Sequence, residues 1–382
     1  MAPTPDDYLA LWWHGECRLP EEELIAWAGR QRLLPLLGWR AEEQGWDLPE
    51  ALTGAIRRAR MVVAVRQALT DRQLQALGAT AQQLGIPVVL VKGAAAAAAY
   101  PEPWMRPYGD IDLLVDPSDA ARLLEALKAQ GYSYAESAEG HRAWHFPPLV
   151  PASRQGARIE VHTALAREGG RLRFTVAGWR DDLCPLEAYP GLHAPGPADH
   201  VLYLIHHALV HHELLFGLQP YMDIGFWSEA WTPDDWRALH TATLDAAMEN
   251  AVALALALTT WLWQRALPGD GAGFAQPPAS LLSEAKWTVA GLSTGPSLPH
   301  VWRDVPPRAQ GGLVRYAALI LYGDPAQLRE LTPKERFTYH LRRPGELLRN
   351  HGNVVWRLLR GDPATRSAWR TQRDLQTWLR EG

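Results

Sequence analysis

The stretch PVVLVKGAAAAAAYPEPWMRPYGDIDLLVD, residues 87 to 116, limits the fold more tightly than any other part of the chain. It begins with the apolar run Val88 to Val91, whose β-branched composition reads as a buried strand. Gly93 ends that strand, and six alanines at 94 to 99 propagate a short helix with side chains small enough to lie close to a sheet. Tyr100, Pro101 and Pro103 stop the helix. A polar turn carrying Arg106 leads to Asp110, Ile111 and Asp112 and then to a second apolar run, Leu113 to Val115. Side chains alternate faces along a strand, so Asp110 and Asp112 point the same way. Two carboxylates so placed at a strand start suit a hard divalent cation.

Around this centre the pattern is mostly helical. Residues 5 to 84 read as helices, with acidic first turns at Asp6 and Asp7 and at Glu21 to Glu23, and with Pro20 suited to a helix start. From Pro49 to Leu84 no proline interrupts an apolar series of Ile56, Met61, Val62, Val65, Leu69, Leu74 and Leu77. That predicts one long amphipathic helix closed by Gly85. Asp116 caps a helix running to about Gln130. Tyr132 to Ala135 and Arg142 to Phe146 read as a further strand or hairpin, and Arg158 to His162 as a third strand. Pro185, Pro190, Gly191, Pro195, Gly196 and Pro197 mark a loop. After it the chain is predicted to be helical at 198–215, 220–230, 233–246 and 248–266, with a Gly/Pro-rich loop at 269–278.

Composition sets outer bounds. The 382 residues suffice for two domains, and 47% apolar with 21% charged residues is the make-up of a soluble globular chain. A net charge of −4 argues against a generally basic nucleic-acid-binding surface, so nucleic acid is not the favoured partner. Cys17 and Cys184 stand far apart without metal-ligand spacing, which fits a reducing compartment. The N-terminal residues lack the basic start and apolar core of a secretory signal. The longest apolar run, 251 to 263, is too short to span a bilayer. The expected location is cytoplasmic. The 18 tryptophans are scattered and read as core or helix-packing residues.

Glu160 on the third strand completes the carboxylate set. An antiparallel neighbour of the Asp110–Asp112 strand would bring it beside the two aspartates, and three carboxylates on one sheet face hold one or two Mg²⁺. The order of strand, glycine turn, helix, D-x-D strand and a carboxylate 48 residues further on resembles the nucleotidyltransferase superfamily of the DNA polymerase β type. Within it the chain is most similar to a group of uncharacterised bacterial nucleotidyltransferases. The shared segments are Leu90-Val91-Lys92-Gly93-Ala94, Tyr100-Pro101, Arg106, Gly109 to Val115, and Glu160-Val161-His162. Weaker shared features are His207 and His211 on a helix, Asp223, Asp235-Trp236, and the ending PKERFTYHLRRPGELLRNHG.

The resemblance implies an α+β fold. A small mixed-sheet nucleotidyltransferase core at 85–186 would be flanked by an N-terminal helical region, 1–84, and a large helical domain, 198–382. It implies that Asp110 and Asp112 coordinate two Mg²⁺, that Glu160 helps activate an attacking hydroxyl, and that Gly93 lies in the turn approaching the triphosphate of an NTP. One departure stands out. The superfamily usually carries Gly-Ser or Gly-Gly in that turn, whereas Lys92-Gly93-Ala94 offers no hydroxyl. Phosphate contact then falls to backbone N–H groups at Gly93 and Ala94, with Lys92 or Arg106 supplying charge; a structural role for Lys92 is the alternative.

A second constellation is His206-His207-Ala208-Leu209-Val210-His211-His212-Glu213. On a regular helix His207 and His211 share a face. They read as a zinc pair, or as cleft-facing or packed histidines that make an acceptor site with Asp223; no glutamate stands between them as in H-E-x-x-H. His162, two positions from Glu160, either lines the same site or packs. The basic stretch from Lys334 to Arg360, with Arg342, Arg343, Arg349 and Arg357 beside Tyr339 and Trp356, is a solvated face or a contact for RNA or a phosphorylated substrate. The function expected is Mg²⁺-dependent transfer of NMP from an NTP to a hydroxyl of a small molecule, peptide, protein or RNA. The alternative is a degenerate nucleotidyltransferase fold that binds nucleotide or a partner without turnover.

Overall fold

Four helices open the chain: α1 (Pro5–His14), α2 (Glu21–Arg30), α3 (Leu34–Gln44) and α4 (Glu50–Leu84). They belong to a computed structural model that describes residues 3–135, 144–153, 155–166, 171–267 and 274–292, with scattered positions between 340 and 379. Residues 1–292 gather into one compact unit and Ser293–Glu381 into a second. The basic stretch 334–360 and the loop 269–278 fall largely outside the described residues, as does the first part of the strand expected at 142–146.

α4 ends as its sequence predicts, on Gly85 at φ 65°, a left-handed conformation that glycine adopts without a Cβ penalty. Its burial differs from a continuous stripe. Leu52, Ala55 and Ile56 are buried at one end and Leu74, Leu77 and Ala81 at the other, while Met61, Val62 and Val65 between them are exposed. The helix therefore packs on α3 at its start and on the sheet layer at its end. Trp12 of α1 and Trp27 of α2 are core residues, and Trp13 is partly buried. Trp12 and Trp13 donate to the Leu262 carbonyl and Trp27 donates to that of Ala290, which ties the first helices to the last ones of this unit.

The sheet is built from β1 (Val88–Val91), β2 (Asp110–Val115), β3 (Tyr132–Tyr134), β4 (Leu149–Pro151), β5 (Arg158–His162), β6 (Cys184–Pro185) and β7 (Leu192–Ala194), in the order β3-β4-β5-β2-β1-β7-β6. Between β1 and β2 lies the short alanine helix α5 (Gly93–Ala97); α6 (Pro117–Ala129) follows β2, and α7 (Val176–Trp179) precedes β6. The sheet is mixed. β1 runs antiparallel to β2, whereas β2 pairs in parallel with β5. This corrects the antiparallel pairing expected for Glu160. α6 and the antiparallel β3–β4 hairpin return the chain so that β5 enters in the direction of β2. One face is covered by α4 and α6: Leu74, Leu77, Leu123 and Leu127 pack with Val88, Leu90, Ile111, Leu113, Ile159 and Val161. At about 25 cal/mol per Å² of buried apolar surface, such a layer is the main stabilising term.

Beyond the sheet come α8 (Pro197–Ile205), α9 (Gln219–Glu229), α10 (Pro233–Ala246), α11 (Glu249–Trp263) and α12 (Ala279–Val289). These match the helices expected after residue 198 except at one place. The helix predicted over 198–215 leaves α-geometry at His206 and continues as a π-helical turn to His211. No helix among the described residues is long and apolar enough to cross a membrane.

Candidate active site

The face of the sheet opposite the leucine layer carries the carboxylates. In the parallel ladder Asp112 stands level with Glu160, and Asp110, two residues earlier, with Arg158. Period-two alternation puts Asp110, Asp112, Glu160 and His162 on the side away from the leucine layer. All four line a cavity of about 560 Å³. Asp112 is buried at 2% exposure and Asp110 and Glu160 are partly buried, so the three charges meet little water.

Lys92 answers part of that charge. Its Nζ is 2.7 Å from Asp112 Oδ1, and His162 Nε2 is 3.3 Å from the same oxygen. Burial alone would raise the Asp112 carboxyl, but the Lys92 ammonium and the His162 contact outweigh it and hold it down at about 2. Asp110 shows the opposite balance. Burial and then the neighbouring Asp112 charge raise its carboxyl above the ordinary value, with Glu160 adding to the repulsion. Glu160 is lowered, first by its contact with His145. Three carboxylates thus face the Lys92 ammonium and, at longer range, Arg32, and the face retains unmatched negative charge. That excess, on hard oxygen donors, fits Mg²⁺.

The turn that brings Lys92 here is unusual. Lys92 has φ 56° and ψ −134°, a backbone conformation favoured by glycine, and it caps the start of α5. The next position is tight. A Cβ on Gly93 would come within 3.3 Å of the Asp110 carbonyl and of the Tyr108 ring, because α5 starts against the beginning of β2. The first N–H groups of α5, at Gly93 and Ala94, have no carbonyl four residues back within the helix to bond.

The opposite wall comes from α8, the π-turn and α9. The π-turn replaces the i,i+4 register by i,i+5. His212 N–H donates to the His207 carbonyl, and the two Nε2 atoms lie 3.2 Å apart. His207, His211 and His212 converge with ligand atoms within 4.8 Å of one another. The sequence-predicted pair His207 and His211 is therefore together, with His212 added by a turn that 3.6-residue counting does not foresee. His207 Nε2 also lies 3.3 Å from Lys92 Nζ, so the two walls touch. Burial, and then the Lys92 charge, keep the His207 imidazole well below its usual range and therefore neutral.

Arg106 and Asp223 lie between the walls. The guanidinium donates from Nε and Nη2 to the Asp223 carboxylate at 2.8 and 2.7 Å, and the Tyr100 hydroxyl donates to Asp223 Oδ1 at 2.7 Å. Arg106 is 4% exposed and Asp223 is 0% exposed. Both line the cavity, but they are engaged with one another, and the pair clamps the segment before β2 to α9. Sequence reasoning did not find His145. An isolated antiparallel bridge sets it beside His162, and its Nε2 is 3.4 Å from Glu160 Oε2. A histidine after a hairpin-like stretch carries no spacing signal for this.

A D-x-D strand joined in parallel to a strand bearing a third carboxylate, with a glycine turn entering a helix at the end of the neighbouring strand, is consistent with a nucleotidyltransferase core. The chain belongs to the family described as uncharacterised nucleotidyltransferase, whose profile matches residues 19–264. No curated protein matches the chain.

Proposed function

We propose that the protein transfers a nucleotidyl group from an NTP to an acceptor hydroxyl, releasing pyrophosphate, with Mg²⁺ as the cation and cytoplasmic NTP as the donor. The observation that supports this most is the shared face of Asp110, Asp112 and Glu160 over one cavity, with unmatched negative charge. Asp110 and Asp112 would hold the ions, with Glu160 completing the set. Bound Mg²⁺ supplies charge neutralisation at the entering and leaving oxygens of an in-line displacement. Glu160, lowered and therefore ionised near neutral pH, accepts the proton of the attacking hydroxyl. Gly93 and Ala94 offer backbone N–H groups to the triphosphate, and Lys92 supplies positive charge beside them. Arg106 has two nitrogens committed to Asp223, so a phosphate contact draws on what remains of its guanidinium. His207 and His211, with Asp223 behind them, form the wall that receives the acceptor.

A second reading is a nucleotide- or partner-binding protein without turnover. Lys92 favours it, because an ammonium already sits 2.7 Å from Asp112 and no hydroxyl stands in the turn. The deciding experiment incubates the protein with labelled NTPs, MgCl₂ and a cell extract, and follows both pyrophosphate and products heavier by one nucleotide. Transfer that is lost in Asp110→Asn supports catalysis. Calorimetric Mg-NTP binding with no pyrophosphate supports the second reading. Full transfer by both Asp110→Asn and Asp112→Asn removes the site assignment.

A further inference from the structure

We propose that His145, Glu160 and His162 form a binding site for a divalent cation of the transition series, of the Zn²⁺ class, at the edge of the carboxylate face. The proposal extends the nucleotidyl-transfer reading and shares only Glu160 with its metal set.

The three side chains are placed by backbone, not by loop chance. β5 carries Glu160 and His162. On its other edge the segment with His145 is fixed by the Phe146 N–H donating to the Val161 carbonyl at 3.0 Å and the Thr163 N–H donating to the Trp144 carbonyl at 2.9 Å. The two imidazoles stack with centroids 4.5 Å apart and planes 4° from parallel, so the partly exposed His145 ring turns on binding to bring both in-plane Nε2 lone pairs to one ion. Both direct Nε2 toward one oxygen: Glu160 Oε2 is 3.4 Å from His145 Nε2 and 3.9 Å from His162 Nε2. The three ligand atoms lie within 4.8 Å of one another.

An ion holding nitrogen and oxygen ligands at about 2.0–2.2 Å keeps any two of them within roughly 4.3 Å. The two His–Glu160 separations lie inside that limit and the third lies within 4.8 Å, so rotation of side chains, not of strands, closes the set. Two imidazoles and one carboxylate on one side of an ion leave further positions open, and here the opening is the cavity. The donor set also selects the cation. Mg²⁺ prefers oxygen and near-octahedral water-rich coordination, whereas imidazole favours zinc and its neighbours. His162 is buried, while His145 and Glu160 are partly exposed, so the ion has an entry path and one dry side. The Asp112 contact at 3.3 Å from His162 Nε2 limits the swing of that ring. An ion here adds positive charge where three carboxylates meet only Lys92 and Arg32, and its open positions take an anionic oxygen of a phosphate or carboxylate ligand.

The test uses the full chain, stripped with chelator and titrated with ZnCl₂ by calorimetry and with CoCl₂ by proton NMR. Cobalt-bound histidines give hyperfine-shifted imidazole N–H signals that vanish in D₂O. Wild type should show two such signals, and His145→Ala or His162→Ala should remove one each and weaken zinc binding by at least about tenfold. Loss of the signals on His211→Ala instead would place the ion on the opposite wall and overturn the proposal, as would an absence of exchangeable shifted signals in wild type. Asp110→Asn keeps both signals whether or not it abolishes nucleotidyl transfer, so failure of the transferase reading and failure of this one are told apart.

Discussion

Replacing Asp223 with alanine tests the clamp between the two walls of the cavity. The carboxylate is fully buried and accepts three short hydrogen bonds, two from Arg106 and one from Tyr100. Hydrogen bonds to a charged group are worth about 1.5–3 kcal/mol each, but removal does not simply sum them. The larger cost is the guanidinium left behind at 4% exposure with its anion gone. Breaking a buried ion pair from one side costs about 3–5 kcal/mol, and that is the loss expected for Asp223→Ala. Tyr100→Phe removes one of the three bonds and should cost about 1.5–3 kcal/mol. Removing both charges with apolar groups of similar size, Arg106→Met with Asp223→Leu, leaves neither ion stranded, so the double variant should lose far less than the sum of the singles. Urea unfolding followed by tryptophan fluorescence reads wild type, Asp223→Ala, Tyr100→Phe, the singles Arg106→Met and Asp223→Leu, and their double. An Asp223→Ala cost under about 1 kcal/mol, or strict additivity in the double variant, would refute the argument that the charge is stranded.

Four further outcomes follow from the same geometry. Asp110→Asn should abolish transfer and melt at or above wild type, because burial already disfavours its charge, whereas Asp112→Asn should melt lower because it strands Lys92; equal melting shifts in thermal scans would contradict this. Lys92→Gly should be more stable than Lys92→Ala by about 1–3 kcal/mol, since both lose the ion pair but only glycine suits φ 56°; the reverse order in urea would show that the turn is unstrained. Asp199, half-buried and pushed up to about 6 by burial and by Asp182, resists ionisation in the folded protein, so its contribution falls as pH rises from the ordinary carboxylate range through about 6. Asp199→Asn should therefore raise stability at pH 8, discounted for partial exposure to about 1–2 kcal/mol, and leave it unchanged in acid below the ordinary carboxylate range, as denaturation midpoints at the two extremes would show. Gly78→Ala would set a Cβ 2.3 Å from the Pro190 carbonyl oxygen; overpacking of about 1–3 kcal/mol should exceed the helix-propensity gain of about 1 kcal/mol, and an unchanged midpoint would contradict it.

What could be read in advance was local. Val88 to Val91, Asp110 to Val115 and the Gly85 stop each carry their signal within a few residues, and so did the pairing of Asp110 and Asp112 on one face. What could not be read was set by partners far along the chain. The direction of β5 depends on how the β3–β4 hairpin returns. β6 and β7 hide among prolines and glycines because two or three residues suffice for an edge ladder. The π-turn shifts His212 into register with His207 through a single widened turn, which no periodicity count registers. Arg106 read as a free phosphate ligand until folding set Asp223, 117 residues on, against it. Met61, Val62 and Val65 matched the helical stripe yet remain exposed, because they lie where α4 crosses from α3 to the sheet layer and face neither.

The lysine at the glycine-like turn has one more consequence. An aspartate as dry as Asp112 would, in a site awaiting its ions, oppose folding until metal arrived, as in small domains that are unfolded without zinc. Lys92 provides Asp112 with a counterion carried on the chain itself. On the proposed Mg²⁺-dependent reading, Asp112 thus has a counterion before any ion binds, and folding should not wait on the supply of divalent ions. If transfer runs as proposed, chelation should silence the protein without unravelling it, leaving a folded stock ready to resume work when metal returns.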